Sequence, residues 1–181
     1  LGRTWRLFME NDIEDNWSLS SKIAAIEPTK KQRKVLHETI KKVTGDTDAL
    51  AFNTAISQMM ICVNEFTQAE QRSASALATF LQLLNPYAPH LSEELNERLA
   101  AKFDCVPNET LAGQAWPEHD DSFLVETEIE MVVQVNGKLR DKITVATAAT
   151  GESIEAQALA AENVKPFLEG NTVRRIIVVP G

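Results

Sequence analysis

Apolar residues recur in steps of three and four through most of the first hundred positions, and after residue 121 they alternate instead. The first pattern predicts helices and the second predicts strands. Arg3 to about Asn11 reads as a helix with Trp5, Phe8 and Met9 on its apolar side, and residues 12–28 read as a polar loop broken by Pro28. Thr29 is placed to cap a helix that runs to Thr44, with Val35, Leu36, Thr39, Ile40 and Val43 inward and Lys30, Lys31, Lys34 and Lys41 opposite. Gly45 reads as a stop, with a restart over Asp46–Asp48. Phe52, Ile56, Met59, Val63 and Phe66 make the strongest helical stripe, which predicts the central helix of a bundle. A further helix is expected from about Ala69 to Asn85, with Ala74, Leu77, Leu81 and Leu84 aligned and Asn85-Pro86 ending it. Pro89 suits the first turn of the next one, in which Leu91, Leu95 and Leu99 point inward and Glu93, Glu94, Glu97 and Arg98 outward. Residues 104–122, with Pro107, Gly113 and Pro117, read as a linker or irregular arm.

Past Asp121, Ile129, Met131, Val133 and Val135 alternate with Glu128, Glu130, Val132 and Gln134, and Asn136-Gly137 signals a hairpin. A two-residue turn would put Val133 and Val135 on one face with Lys138, Arg140 and Lys142. A three-residue turn would align them with Leu139, Ile143 and Val145. A half-buried sheet needs one apolar face, which favours the odd loop with a bulge. Gly151–Asn163 reads as a helix with Ile154, Ala158 and Leu159 inward, Val164–Glu169 as a short second helix, and Val173–Val179 as a strand. The expected architecture is multidomain: an all-α bundle with its linker arm over 1–120, then a small α+β domain over 121–181.

The chain has 181 residues and an ordinary apolar share of 44%, enough for real cores. No apolar run is long enough to span a bilayer. The opening Leu1-Gly2-Arg3-Thr4-Trp5-Arg6 has neither an initiator Met nor the apolar region of a signal peptide, so it reads as the middle of a helix. The terminal Ile177-Val178-Val179-Pro180-Gly181 runs a strand straight to the end, and a fragment of a longer protein is expected. Cys62 and Cys105 are far apart and form no Cys-x-x-Cys pair, which argues against a disulfide framework or zinc site and suits a cytoplasmic protein. Cys62 sits in an apolar helical pattern, as a small hydrophobe would.

The net charge of −8 argues against nucleic acid if taken alone, but it is unevenly spread. Residues 1–42 carry nine Lys/Arg against six Asp/Glu, residues 43–120 three against eleven, and residues 121–181 six against nine. Any RNA contact must therefore use local basic patches at the two ends.

No phosphate loop or dinucleotide fingerprint occurs, since Gly137-Lys138 lacks both the upstream glycine and the following hydroxyl. The histidines His37, His90 and His119 are scattered. His119-Asp120-Asp121 comes nearest to a ligand cluster and reads as a solvated linker. Glu93, Glu94 and Glu97 read as a solvated helix face rather than catalytic carboxylates, and nothing places a nucleophile on a strained elbow. No catalytic residue is assigned. The basic residues are the better candidates. On the favoured register Arg140 and Lys142 share the solvent face, near Lys138 at the turn, where they could grip phosphates or simply aid solubility. Arg174 and Arg175 are further candidates, though neighbours on a strand point to opposite faces. The run Lys30-Lys31-Arg33-Lys34 with Lys41-Lys42 is a solvated helix face that an RNA backbone could also meet. Trp5 is expected in the core, Trp116 as an anchor of the arm on the bundle, and Trp17 in a polar loop.

Two stretches go beyond pattern. Leu84-Asn85-Pro86-Tyr87-Ala88-Pro89-His90-Leu91-Ser92-Glu93-Glu94-Leu95 resembles a helix junction in the anticodon-binding bundle of the class I aminoacyl-tRNA synthetases for leucine, isoleucine, valine and methionine. Phe52-Asn53-Thr54-Ala55-Ile56 and Val63-Asn64 resemble that bundle's central helix. Met131-Val132-Val133-Gln134-Val135-Asn136-Gly137-Lys138-Leu139-Arg140 is similar to the hairpin opening the C-terminal domain of leucyl-tRNA synthetases, and Ala115-Trp116-Pro117 to the segment before it. The resemblance implies the C-terminal part of a bacterial-type leucyl-tRNA synthetase, which joins leucine to its tRNA using ATP and magnesium. The partners implied are the leucine tRNA and the catalytic and editing domains of the same, monomeric, cytoplasmic parent. The catalytic signatures of the family are absent, so no cofactor is assigned to this chain. The residues leave two rivals open: another synthetase of the subclass that reads its anticodon, or an acidic protein-interaction module.

Overall fold

The computed structural model describes residues 1–11, 16–125, 128–146, 149–168 and 175–178. It divides into two compact units, Leu1–Leu124 and Val125–Gly181.

The first unit is helical. α1 (Gly2–Phe8) is followed directly by β1 (Met9–Asn11), which pairs antiparallel with β2 (Trp17–Leu19). The expected helix to Asn11 therefore ends early. Met9 leaves the helix in extended conformation and stays buried with Leu7 and Phe8. β3 (Ile23–Ala24) pairs in parallel with β4 (Arg72–Ser73). The expected loop over 12–28 thus holds two short strands among its described residues. Each is made by a few backbone bonds, β2 to the nearby β1 and β3 to the distant β4, and two or three residues leave little trace in local periodicity.

α2 (Lys30–Asp48) begins as predicted. Thr29 Oγ1 accepts from the Gln32 amide at 3.2 Å, and the Thr29 amide donates back to Gln32 Oε1 at 3.4 Å, a reciprocal cap. It does not stop at Gly45. Val43 and Asp46 on either side are buried, Lys42 Nζ meets Asp46 Oδ1 at 2.5 Å, and packing carries the helix through the glycine. The turn into α3 (Phe52–Gln68) is instead made at Leu50, which adopts a positive φ of 56° and is 73% exposed.

α3 differs from its prediction. Its buried face is Ala55, Met59, Cys62, Val63 and Phe66, while Phe52 and Ile56 are over 40% exposed. Burial pushes the Cys62 thiol up to about 12. The most enclosed helix is α4 (Ala74–Leu84), with Leu77, Phe80, Leu81 and Leu83 all at 1% exposure or less. It starts five residues later than expected, because Arg72 and Ser73 are drawn into the strand pairing with β3 and Ser73 Oγ then caps the helix. α5 (Pro89–Lys102) opens on Pro89, with Leu95 and Leu99 fully buried and Leu91 half-buried. Glu93, expected outward, instead accepts from the Leu111 and Ala112 amides at 3.1 and 3.3 Å, and so holds a 3₁₀ turn (Leu111–Gly113) of the arm onto α5. α2 packs on α3 and α4, α4 on α5, and α1 on α3, around one core that includes Val106 and Leu111 of the arm.

The second unit holds an antiparallel hairpin, β5 (Glu128–Val135) and β6 (Lys138–Ala146), then α6 (Gly151–Ala160) and the single turn α7 (Lys165–Leu168). Thr150 caps α6. Leu159, expected inward, is 38% exposed. The strand expected over Val173–Val179 is not formed at residues 175–178, and its remaining positions lie outside the described residues.

Candidate nucleic-acid interface

The hairpin turn is the starting point for the basic candidates. Asn136 and Gly137 have φ of 53° and 76°, as a two-residue type I′ turn requires. Val135 therefore pairs with Lys138 and Gln134 with Leu139. The ladder then skips a residue: Val133 pairs with Asp141, leaving Arg140 as the unpaired member of a bulge. Beyond it Met131 pairs with Ile143 and Ile129 with Val145 in the ladder. The expected three-residue turn is thus corrected to two residues plus a bulge. The apolar demand behind that expectation is met all the same, because one surplus residue restores the odd count.

The bulge separates the residues that sequence grouped together. Lys138 is exposed beside the turn, and Lys142 is exposed on the opposite face, paired with Val132. Arg140 does not share the solvent face with Lys142 but is half-buried, its guanidinium carbon 4.1 Å from the Phe167 ring centroid. Its Nε is closed off from solvent without a hydrogen-bond partner. Asp141 beside it accepts from the Lys142 amide at 2.9 Å and the Asn163 amide at 3.3 Å, and these bonds, the first foremost, hold its carboxyl below the usual carboxylate range. The open face of the hairpin therefore presents Lys142 between Val132 and Leu139, each 56% exposed. Arg175 is exposed, and Arg174 lies outside the described residues.

The basic run of α2 is largely neutralised. Lys31 meets Glu65 at 2.7 Å, Arg33 meets Glu27 at 2.7 Å, Lys34 meets Glu38 at 3.8 Å, and Lys41 meets Asp121 at 2.9 Å. Trp116 anchors the arm as expected, its indole Nε1 donating to Thr44 Oγ1 at 2.8 Å. Trp17 is 41% exposed and meets the half-buried Trp5 edge-on, with ring centroids 5.6 Å apart. Among the described residues no group of three or more His, Cys, Asp or Glu side chains is placed to hold a metal ion, and no helix is long and apolar enough to cross a membrane.

One structural side chain carries no signal in the sequence. Arg72 is 5% exposed and spends its guanidinium on main-chain carbonyls: Nε to Phe66 at 2.9 Å, Nη1 to Leu7 at 2.5 Å and Nη2 to Thr67 at 3.4 Å. It fastens the ends of α1 and α3 to one point. Burial lowers its pKa, and the charge of Glu10 opposes that. A lone arginine in a polar stretch carried no sign of this in the sequence.

Residues 30–156, from the first turn of α2 into α6, match the family described as the anticodon-binding domain of tRNA ligase. The chain belongs to that family. A solved structure adds detail: the ternary complex of the Agrobacterium radiobacter K84 agnB2 leucyl-tRNA synthetase with tRNA and LeuAMS is similar over 84% of this chain, at 28% identity and a TM-score of 0.52. The chain spans about a fifth of that synthetase, 20% of its length. The mostly helical first unit fits the anticodon-binding family.

Proposed function

We propose that this chain is the tRNA-holding C-terminal part of a leucyl-tRNA synthetase and positions the leucine tRNA for aminoacylation and editing carried out elsewhere in the parent. The observation that carries the reading is the likeness, across most of the chain, to a leucyl enzyme solved with tRNA. ATP, magnesium and the bond-making groups belong to the parent in this reading, which is cytoplasmic and monomeric. The family leaves open which tRNA is held. The leucyl assignment draws on the hairpin Met131–Arg140 as well.

Exposed Lys138, Lys142 and Arg175 are the proposed phosphate contacts, with Arg174 as a fourth. Arg140, turned onto Phe167, is assigned to supporting the hairpin rather than to direct contact. A salt titration of binding between this chain and a leucine tRNA transcript tests the assignment. Replacing Lys138, Lys142 and Arg175 together by Ala should lower the slope of log affinity against log salt by roughly two to three, since each phosphate contact contributes roughly 0.7–0.9. An unchanged slope removes the three residues from the interface, and equal binding of isoleucine and leucine tRNAs removes the leucyl assignment. One observation favours a protein-binding role alongside this one: Phe52, Ile56, Met60 and Ile61 of α3 are all over 40% exposed, on a helix whose one charged residue is Glu65.

A further inference from the structure

In sequence the stretch from Gln114 to Leu124 is a bare connector, yet it lies along one line of α2. Arg33, His37, Lys41 and Thr44 follow one another at intervals of four, four and three, so they share a stripe of that helix. Each of them meets the stretch. Trp116 donates to Thr44 at 2.8 Å, Asp121 pairs with Lys41 at 2.9 Å, and the Asp120 amide donates to His37 Nδ1 at 3.0 Å. The Phe123 ring lies over His37, with centroids 4.7 Å apart, and the Arg33 guanidinium is 5.8 Å from the Phe123 centroid. The contacts run antiparallel to α2, from Thr44 at one end to Arg33 at the other.

We infer that residues 114–124 form a strap held down by the neutral form of His37, and that protonating His37 releases the strap and lengthens the free chain ahead of the second unit. Nδ1 accepts the Asp120 amide only while it carries a lone pair, so the docked state requires the single ring proton on Nε2. A second proton would set two donors against each other at 3.0 Å. The remaining anchors are the exposed hydrogen bond of Trp116 to Thr44, the contact of Gln82 with Gln114 at the start of the strap and the Phe123 ring on His37 itself, each individually modest. Lys41 and Asp121 form an exposed pair, and such pairs contribute little. Released and extended, eleven residues would reach roughly 36 Å.

The charges around His37 decide the direction. Arg33 comes from its own helix, as do Lys34, Glu38 and Lys41 nearby, and the strap brings His119, Asp120 and Asp121. α4 contributes Ser75, Ala76 and Thr79 to the cleft they share with Phe123, and none of these titrates. Burial is the foremost influence on the imidazole and lowers its pKa from the ordinary 6.5. Asp120 opposes, while His119 and Arg33 act with burial. A docked-state value below the free value means the bond's contribution is complete above pH 6.5 and is lost as the pH falls through the lower, docked value.

Nitrogen-resolved NMR of the whole chain between pH 8 and pH 5 tests this. The Asp120 amide and the Trp116 indole should shift together, with a midpoint below 6.5. Amide protection over 114–124 should fall by up to about tenfold relative to α4, the scale of one lost hydrogen bond. His37→Gln should remove the pH dependence and His119→Gln should keep it. If His37→Gln undocks the strap at every pH, its spectrum over 114–124 should coincide with that of the wild type at pH 5. Any of three results overturns the inference: protection that does not change with pH, a transition that survives His37→Gln, or one that vanishes in His119→Gln.

Discussion

The two units are built to different standards of closure. In the first, every helix from α1 to α5 sends side chains into one continuous core, and Phe66, Leu77, Leu81, Leu95 and Leu99 are wholly enclosed. In the second, the buried apolar side chains among the described residues are Val145 and Val164, while Val132, Leu139, Leu159 and Phe167 remain substantially exposed. What orders the second unit is the hairpin ladder, with polar ties such as Asp141 to the Asn163 amide and the stacking of Arg140 on Phe167. A packed interior makes a stiff scaffold, and a thinly covered hairpin leaves its surface available for contact.

Truncations give the sharpest way to break this contrast. Leu81→Ala in α4 should cost about 2–5 kcal/mol, measured by urea unfolding, since the site is fully enclosed and cannot collapse easily. Ile143→Ala in half-buried β6 should cost about 1–2 kcal/mol at most, and an equal cost at both sites would abolish the distinction. Arg72→Leu comes next, at about 3 kcal/mol, because it strips the guanidinium's bonds from the Leu7 and Phe66 carbonyls in a closed site, where Phe66 keeps only the Ala69 amide. Arg140→Ala should cost about 1 kcal/mol through lost stacking on Phe167, read from the second unit's unfolding, and a value near zero would show that the contact does not order the hairpin. The smallest effect has the opposite sign. Gly45→Ala should stabilise the first unit by about 0.5–1 kcal/mol, since the residue lies inside α2 and an added Cβ meets nothing within 4 Å.

The features legible in the sequence were those whose cause is local. Thr29 as a cap, Pro89 after Asn85-Pro86, and Asn136-Gly137 each act within a few residues of themselves, and each does in the structure what its chemistry dictates. The failures have distant causes. Gly45 should have ended α2, but the buried neighbours Val43 and Asp46 hold the helix on. Phe52 and Ile56 fit the helical stripe of α3, yet the packed face is turned toward Ala55, Met59 and Cys62, a rotation that periodicity alone does not fix. β3 and β4 pair across almost fifty residues. At the candidate interface, sequence reasoning named the basic residues but placed Arg140 and Lys142 together, because turn length and bulge enter the count jointly and only their combined parity could be inferred.

That parity has a practical reach. The surplus residue at 140 decides which cations of β6 face outward and which face inward, so the strand pairing and not the run of letters assigns them. An insertion or deletion of one amino acid here would exchange the outward and inward roles of everything between the bulge and the turn while leaving composition, charge and apparent motif intact.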